Sequence, residues 1–108
     1  MAKYPFMQVV VADIVADTTH MSPEEMGAYC RILFAMWLHG ARLPAVDQEL
    51  ATIAGLSGLR WGKVRERVTR PLTFSNGYWT QKKMTERWER VQKLSMKRAL
   101  AAKARWRR

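Results

Sequence analysis

A chain of 108 residues, 48% hydrophobic and 26% charged, has room for one modest core and none for a second domain. Its net charge of +10 is unevenly laid out. Residues 1–59 hold three bases and six acids and residues 60–108 sixteen bases and three acids, so −3 is followed by +13. The single cysteine, Cys30, excludes an internal disulfide, and no Cys/His cluster has metal-ligand spacing.

In chain order, Phe6 to Ala12 is apolar and β-branched enough for a short buried strand, or for an extended arm laid on the core. The run Val9-Val10-Val11-Ala12 is too short for a signal peptide and is soon interrupted by Asp13 and Asp17, so the cytoplasm is the expected compartment. Asp13 to Thr19 suits one helical turn. Ser22, Pro23 and Glu25 then form the clearest helix start in the chain, with an N-cap, a first-position proline and a Ser-x-x-Glu capping box. Met26, Tyr29, Cys30, Leu33, Phe34 and Trp37 recur behind it at helical spacing, and Gly40 ends the run. Ile32, Ala35 and Met36 widen the apolar surface, which predicts a central core helix.

Pro44 and Asp47 introduce a second helix, roughly Asp47 to Ala54, and a third runs from about Leu59 to Arg70 before Pro71. The small Ala51 stands four positions before Gly55, and Leu50, Ile53, Ala54, Leu56, Trp61, Val64 and Val68 are apolar. That pattern reads as a helix-turn-helix: alanine allows a close crossing and glycine supplies the left-handed turn residue. Leu72-Thr73-Phe74, Ser75-Asn76-Gly77 and Tyr78-Trp79-Thr80-Gln81 predict a β-hairpin around the Asn-Gly turn. From Met84 a further helix is expected to dock through Met84, Trp88, Val91 and Leu94. The predicted fold class is mainly α with a small β-hairpin: a winged helix-turn-helix over residues 1–94 with an added C-terminal helix. Residues 95–108 should form a basic helical extension or an arm that orders on a partner.

The third helix carries Arg60, Lys63, Arg65, Arg67 and Arg70 against one acid, Glu66, and so points to DNA. On a helical wheel Trp61, Val64 and Val68 face inward, Lys63, Glu66 and Arg70 outward, Arg60 and Arg67 lie on the flank, and Arg65 nears the core boundary. Arg60 and Lys63 stand early in the helix, where side chains reach base edges. Arginine grips guanine O6 and N7 with two donors, so Arg60 is the candidate reader. Arg67 and Arg70 are candidate phosphate contacts, as are Lys82 and Lys83 after the wing. In the tail, Lys97, Arg98, Lys103, Arg105, Arg107 and Arg108 stand without an acid among them, with Arg98, Lys103 and Arg105 the candidate contacts. Trp106 suits stacking on a base or an interfacial anchor, but the tail's apolar face is too sparse to hold a membrane surface. Trp37, Trp61, Trp79 and Trp88 are expected in the core. Asp13, Asp17, His20 and Glu24 are read as helix capping and dipole compensation, His39 as a partner of the first helix's C-terminus, and Cys30 as a small buried side chain. No enzyme activity, metal or cofactor is expected.

Asp13, Ala16-Asp17-Thr18, Met21-Ser22-Pro23-Glu24-Glu25-Met26-Gly27-Ala28-Tyr29, Leu33 and Trp37 resemble the opening motif of the YdaU-like family. This phage- and prophage-encoded domain of unknown function is matched further by Leu43-Pro44, Asp47, Leu50-Ala51, Ile53-Ala54-Gly55-Leu56-Ser57, Trp61 and Trp79. The resemblance covers about residues 4–92. It implies a winged-helix DNA-binding module serving phage replication initiation or its control, in a bacterial host cell and at the nucleoid. Many members carry additional C-terminal sequence, whereas this chain is expected to hold no second replication-related domain. The expected partner is double-stranded DNA, bound by a monomer or a homodimer. A transcriptional regulator of the same fold and a protein-interaction adaptor for a replication or host factor are the alternatives.

Overall fold

A computed structural model describes residues 4–106, so Lys3, Arg107 and Arg108 lie outside the described residues. The elements are α1 (Val11–Thr18), α2 (Pro23–Leu38), β1 (Leu43–Pro44), α3 (Asp47–Ala54), α4 (Gly58–Thr69), β2 (Thr73–Ser75), β3 (Tyr78–Thr80) and α5 (Lys82–Trp106). The protein is mainly helical, with a small antiparallel sheet of three strands in the order β1-β3-β2.

The capping box forms as the sequence predicts. Ser22 Oγ accepts from the Glu25 amide at 3.2 Å, and Glu25 Oε1 accepts from the Ser22 amide at 2.7 Å. Helix α2 buries Ala28, Tyr29, Ile32, Leu33, Met36 and Trp37. The expected stripe is off by part of a turn: Phe34 is 56% exposed and Met26 38%, while Cys30 is only half-buried. A helix apolar around most of its circumference has no polar face to fix its rotation from sequence, so its neighbours decide which side faces in.

Those neighbours are α3 and α4. Gly55 closes α3 at φ +75°, and the Leu56 amide donates to the Ala51 carbonyl at 2.9 Å, the bond of a helix end folded back through a left-handed residue. Ser57 then caps α4, accepting from the Arg60 amide at 3.1 Å. Trp61, Val64 and Val68 pack with Leu50, Ala51 and Ala54, and Trp61 Nε1 donates to Asp47 Oδ1 at 3.0 Å. Trp37 and Trp61 are core residues, whereas Trp79 and Trp88 are partly buried against the core.

The hairpin turns at Asn76 (φ +51°) and Gly77 (φ +79°), the two left-handed residues of a type I′ turn, with Ser75 opposite Tyr78. The third strand, β1, was not expected. Leu43 pairs with Trp79 and Pro44 with Tyr78, and two residues are too few to show an alternating pattern.

The N-terminal segment differs from the strand expectation and meets the arm alternative only in part: Met7 packs against the core, whereas Phe6 is 88% exposed and Val9 and Val10 are exposed. Residues 4–10 form no strand, and the valine run ends by starting α1, which is two turns long rather than one. Asp13 in the first turn favours that helix N-terminus, and β-branching alone does not make a strand where no edge is offered. The segment is also held at Tyr4: the Tyr4 carbonyl accepts from Trp37 Nε1 at 2.7 Å, and the Tyr4 ring packs edge-on against Trp88, 4.9 Å between centroids.

Helix α5 runs unbroken across position 94 to Trp106. At 1.5 Å per residue it is about 37 Å long, within a molecule of 61 × 28 × 22 Å. Its start is fixed by a polar chain. The Gln81 side chain accepts from the Met84 amide at 3.2 Å and donates to Tyr29 Oη at 3.2 Å, and Tyr29 in turn donates to Asp17 Oδ2 at 3.5 Å.

Two glycines separate backbone need from mere tolerance. Gly55→Ala is expected to lower stability by about 1–2 kcal/mol, because alanine is strained at that φ and its Cβ would displace the Arg31 guanidinium. Gly62→Ala, in mid-helix with nothing within 4 Å of the added carbon, should raise stability by up to about 1 kcal/mol. Urea midpoints of the two variants measure both.

Candidate nucleic-acid interface

Four of the five bases on α4 and its C-cap, Arg70, already hold a carboxylate. Arg60 is gripped at two points by Glu24, Nε to Oε1 at 2.5 Å and Nη2 to Oε2 at 2.8 Å. Arg67 Nε lies 3.0 Å from Glu25 Oε2, Arg65 Nη1 is 3.2 Å from Asp47 Oδ2, and Arg70 Nη2 is 2.9 Å from Glu66 Oε1. Lys63 has no ion pair among the described residues and stands exposed beside Leu59 on the outer face of the helix.

The electrostatics follow these contacts. The hydrogen bond from Arg60 holds the Glu24 carboxyl below its ordinary range, and the same bond raises Arg60. Glu25 is lowered first by the Ser22 amide and then by Arg67. His20 Nε2 donates to the Arg67 carbonyl at 2.7 Å, so the carbonyl as well as the guanidinium of that residue is tied to the start of α2.

Helix α5 is different. Lys83 Nζ pairs with Asp13 Oδ1 at 2.5 Å, and Arg87 lies 3.8 Å from the same carboxylate. Lys82, Arg90, Lys93, Lys97, Arg98, Lys103 and Arg105 have no acidic partner among the described residues. At 100° per residue, Lys83, Arg87, Arg90, Lys97, Arg98 and Arg105 fall within an arc of about 100°, interrupted by Leu94 and Ala101. Arg90 and Lys93 were not among the sequence candidates, although the 83/87/90/97 spacing carried the signal for Arg90.

The two basic regions do not converge. Glu24 and Glu25, at the start of α2, hold Arg60 and Arg67, whereas Trp88 packs edge-on against Trp37 near the end of α2, 5.1 Å between centroids. With Gln81 beside Tyr29 and Trp88 beside Trp37, α5 runs in the same sense as α2. Its last turns therefore project beyond the C-terminal end of α2, away from Arg60. Near the wing, Arg42 lies over the Tyr78 ring, 4.5 Å from its centroid.

The acids of the N-terminal segment are dispersed in the same way. Asp13 faces α5, Asp17 faces Tyr29, His20 faces the Arg67 carbonyl and Glu24 faces Arg60. Among the described residues no three His, Cys, Asp or Glu side chains are grouped to hold a metal. His39 Nδ1 donates to the Ala35 carbonyl at 2.7 Å, the C-terminal role its position suggests. Among the described residues no helix is long and apolar enough to cross a membrane.

Comparison with known proteins places this framework. The model of a family described as "Protein of unknown function (DUF1376)" matches residues 5–89. The chain belongs to the DUF1376 family. It is 35% identical over 104 residues to the uncharacterized protein YdaU of Escherichia coli (strain K12), covering 96% of this chain and 36% of that protein. The chain thus spans about a third of that relative's length. No solved structure matches. Every element through β3, the start of α5 and the acid–base pairs of α2 and α4 fall inside the DUF1376 match, and the unpaired bases from Arg90 onward lie past it.

Glu25→Gln is expected to lower stability at pH 7 by about 1–2 kcal/mol, since it weakens the cap and leaves Arg67 unpaired. A carboxyl held below its ordinary value stabilises the fold above pH 4.5 and loses that contribution as pH falls through its lowered value. The gap between wild type and variant should therefore narrow in urea titrations at pH 3 relative to pH 7.

Proposed function

We propose that this domain is a winged helix that binds double-stranded DNA. The order α2-β1-α3-α4-β2-β3, with β3 central in the sheet, supports it: α3 and α4 then correspond to the helix-turn-helix and the β2–β3 hairpin to the wing. In this reading Leu59, Arg60 and Lys63 enter the major groove at the start of α4, Lys82 follows the wing, and α5 tracks phosphates.

The observation that carries the reading is the set of unpaired cations on α5, four of which, Arg90, Lys97, Arg98 and Arg105, share one face. From Arg90 to Arg105 there are six bases, no acid, and no acidic partner among the described residues. Solubility does not require a helix to project a one-signed row beyond its own domain, whereas a polyanion rewards one. Because α4 and the end of α5 lie at opposite ends of α2, a duplex touching both runs along the 61 Å dimension. At 3.4 Å per base pair that is about 18 base pairs.

The resemblance to phage and prophage domains makes replication initiation, or its control, the first biological role, ahead of transcriptional regulation. A DNA-binding role places the protein at the nucleoid of a bacterial cell. A single small module reaches tight specific binding through a homodimer or repeated sites.

Fluorescence anisotropy of a labelled 20-base-pair duplex across salt concentrations tests the proposal. Replacing Lys97, Arg98 and Arg105, which share one face of α5, together by alanine should flatten the log–log salt slope by two to three, at about 0.9 per phosphate, without moving the melting temperature. No binding of any duplex at low salt would reject the DNA reading and favour the adaptor.

A further inference from the structure

We propose that Glu24 is a positioning residue for base recognition, holding Arg60 so that the outer edge of its guanidinium is presented to a guanine in the major groove. This rests on the DNA reading above and names the base and the residue that prepares its reader.

A guanidinium offers two forked edges, one made by Nε and Nη2 and one by Nη1 and Nη2. Glu24 takes the first with both carboxylate oxygens. The Nη1 group and the second hydrogen of Nη2 are left with no hydrogen bond among the described residues, and they form the edge that matches guanine N7 and O6. The backbone of the same residue is also fixed, because its amide donates to Ser57 Oγ. Both ends of Arg60 are therefore held before any ligand arrives, and less side-chain freedom remains to be lost on binding.

None of the other paired arginines on α4 shares this arrangement. Arg67 meets its glutamate through Nε, and Glu25 is also committed to the Ser22 amide. Arg65 meets Asp47 by one nitrogen, and Arg70 meets Glu66 one turn away on its own helix. Arg60 alone combines a two-point grip, an open second edge and a place in the first turn of α4, where side chains reach base edges.

Charge decides between base and phosphate as the target. With the Glu24 carboxylate against it, Arg60 belongs to a pair of zero net charge and gains little from the field of a phosphate. Its two aimed donors are undiminished, and a neutral base edge uses donors rather than net charge. The pair is half open to water, with side chains 50% and 38% exposed, so a base edge has access to it.

The test is selection from randomised duplexes with wild type, Arg60→Ala and Glu24→Gln, followed by anisotropy on the selected site. Wild type should prefer guanine at one position by about 10-fold or more, and Arg60→Ala should erase that preference. Glu24→Gln should weaken the same preference while binding non-selected duplexes more tightly, since it removes a negative charge from the surface. A structural role for Glu24 would not produce that opposition. Placing 7-deazaguanine at the position removes N7 without any change to the protein. It should cost wild type part of the affinity that Arg60→Ala loses, because O6 still accepts from the second donor, and cost Arg60→Ala nothing further. Full guanine preference in Glu24→Gln, or no effect of 7-deazaguanine on wild type, overturns this inference and leaves DNA binding standing. Failure of every duplex to bind at low salt overturns both.

Discussion

The interaction on which the arrangement of this protein depends is the grip of two consecutive glutamates on α4. Glu24 and Glu25 open α2, and they hold Arg60 and Arg67, seven residues apart and hence on one face of α4. Glu25 serves two structures at once: it closes the capping box of its own helix and pairs with the neighbouring one. Its side chain is only 9% exposed, so its charge is tolerated because both oxygens are occupied. The apolar row Trp61, Val64 and Val68 supplies most of the packing energy, but it would admit some sliding and rotation. The paired carboxylates, together with His20 on the Arg67 carbonyl, fix the pitch of α4 to the start of α2.

A second constraint aims α5. Gln81 caps that helix and also reaches the buried Tyr29 hydroxyl, which donates onward to Asp17. Burial pushes the Tyr29 hydroxyl up to about 12, so it remains a neutral donor throughout the physiological range. Further along, Trp88 rests between Tyr4 and Trp37. These two anchor points lie one behind the other along α2 and leave α5 no choice of direction. Its later turns continue past the domain with their cations exposed.

Local signals were legible in the sequence, and distant ones were not. Ser22-Pro23-x-Glu25, Gly55 and Asn76-Gly77 each specify a backbone geometry within four residues, and the structure places a cap or a turn at each. Met26 and Phe34 were misplaced because rotation of an apolar helix is set by α3 and α4, not by its own sequence. The N-terminal valines and β1 misled for the opposite reason, being segments too short for periodicity to outweigh context. Of the acid–base pairs on α4, only Glu66–Arg70 has the spacing that a sequence reveals. Glu24–Arg60 and Glu25–Arg67 join residues 36 and 42 positions apart, so five bases on one helix looked like free charge when four of them are paired.

That difference alters how a basic half-chain is to be understood. The count of sixteen bases against three acids measures neither field nor contact until partners drawn from the acidic half are assigned. Once they are, α4 is close to neutral and α5 is not. Under the proposed function, the two helices therefore divide the work of binding. The unpaired row on α5 supplies long-range attraction, which salt screens and which is indifferent to sequence. The neutralised face of α4 contributes little attraction but holds its donors at fixed positions, and fixed donors are what discriminate one base edge from another. A recognition helix left with all five charges bare would hold any duplex well and distinguish them poorly. Pairing four of those charges lowers the affinity common to all sequences and leaves the geometry that separates them.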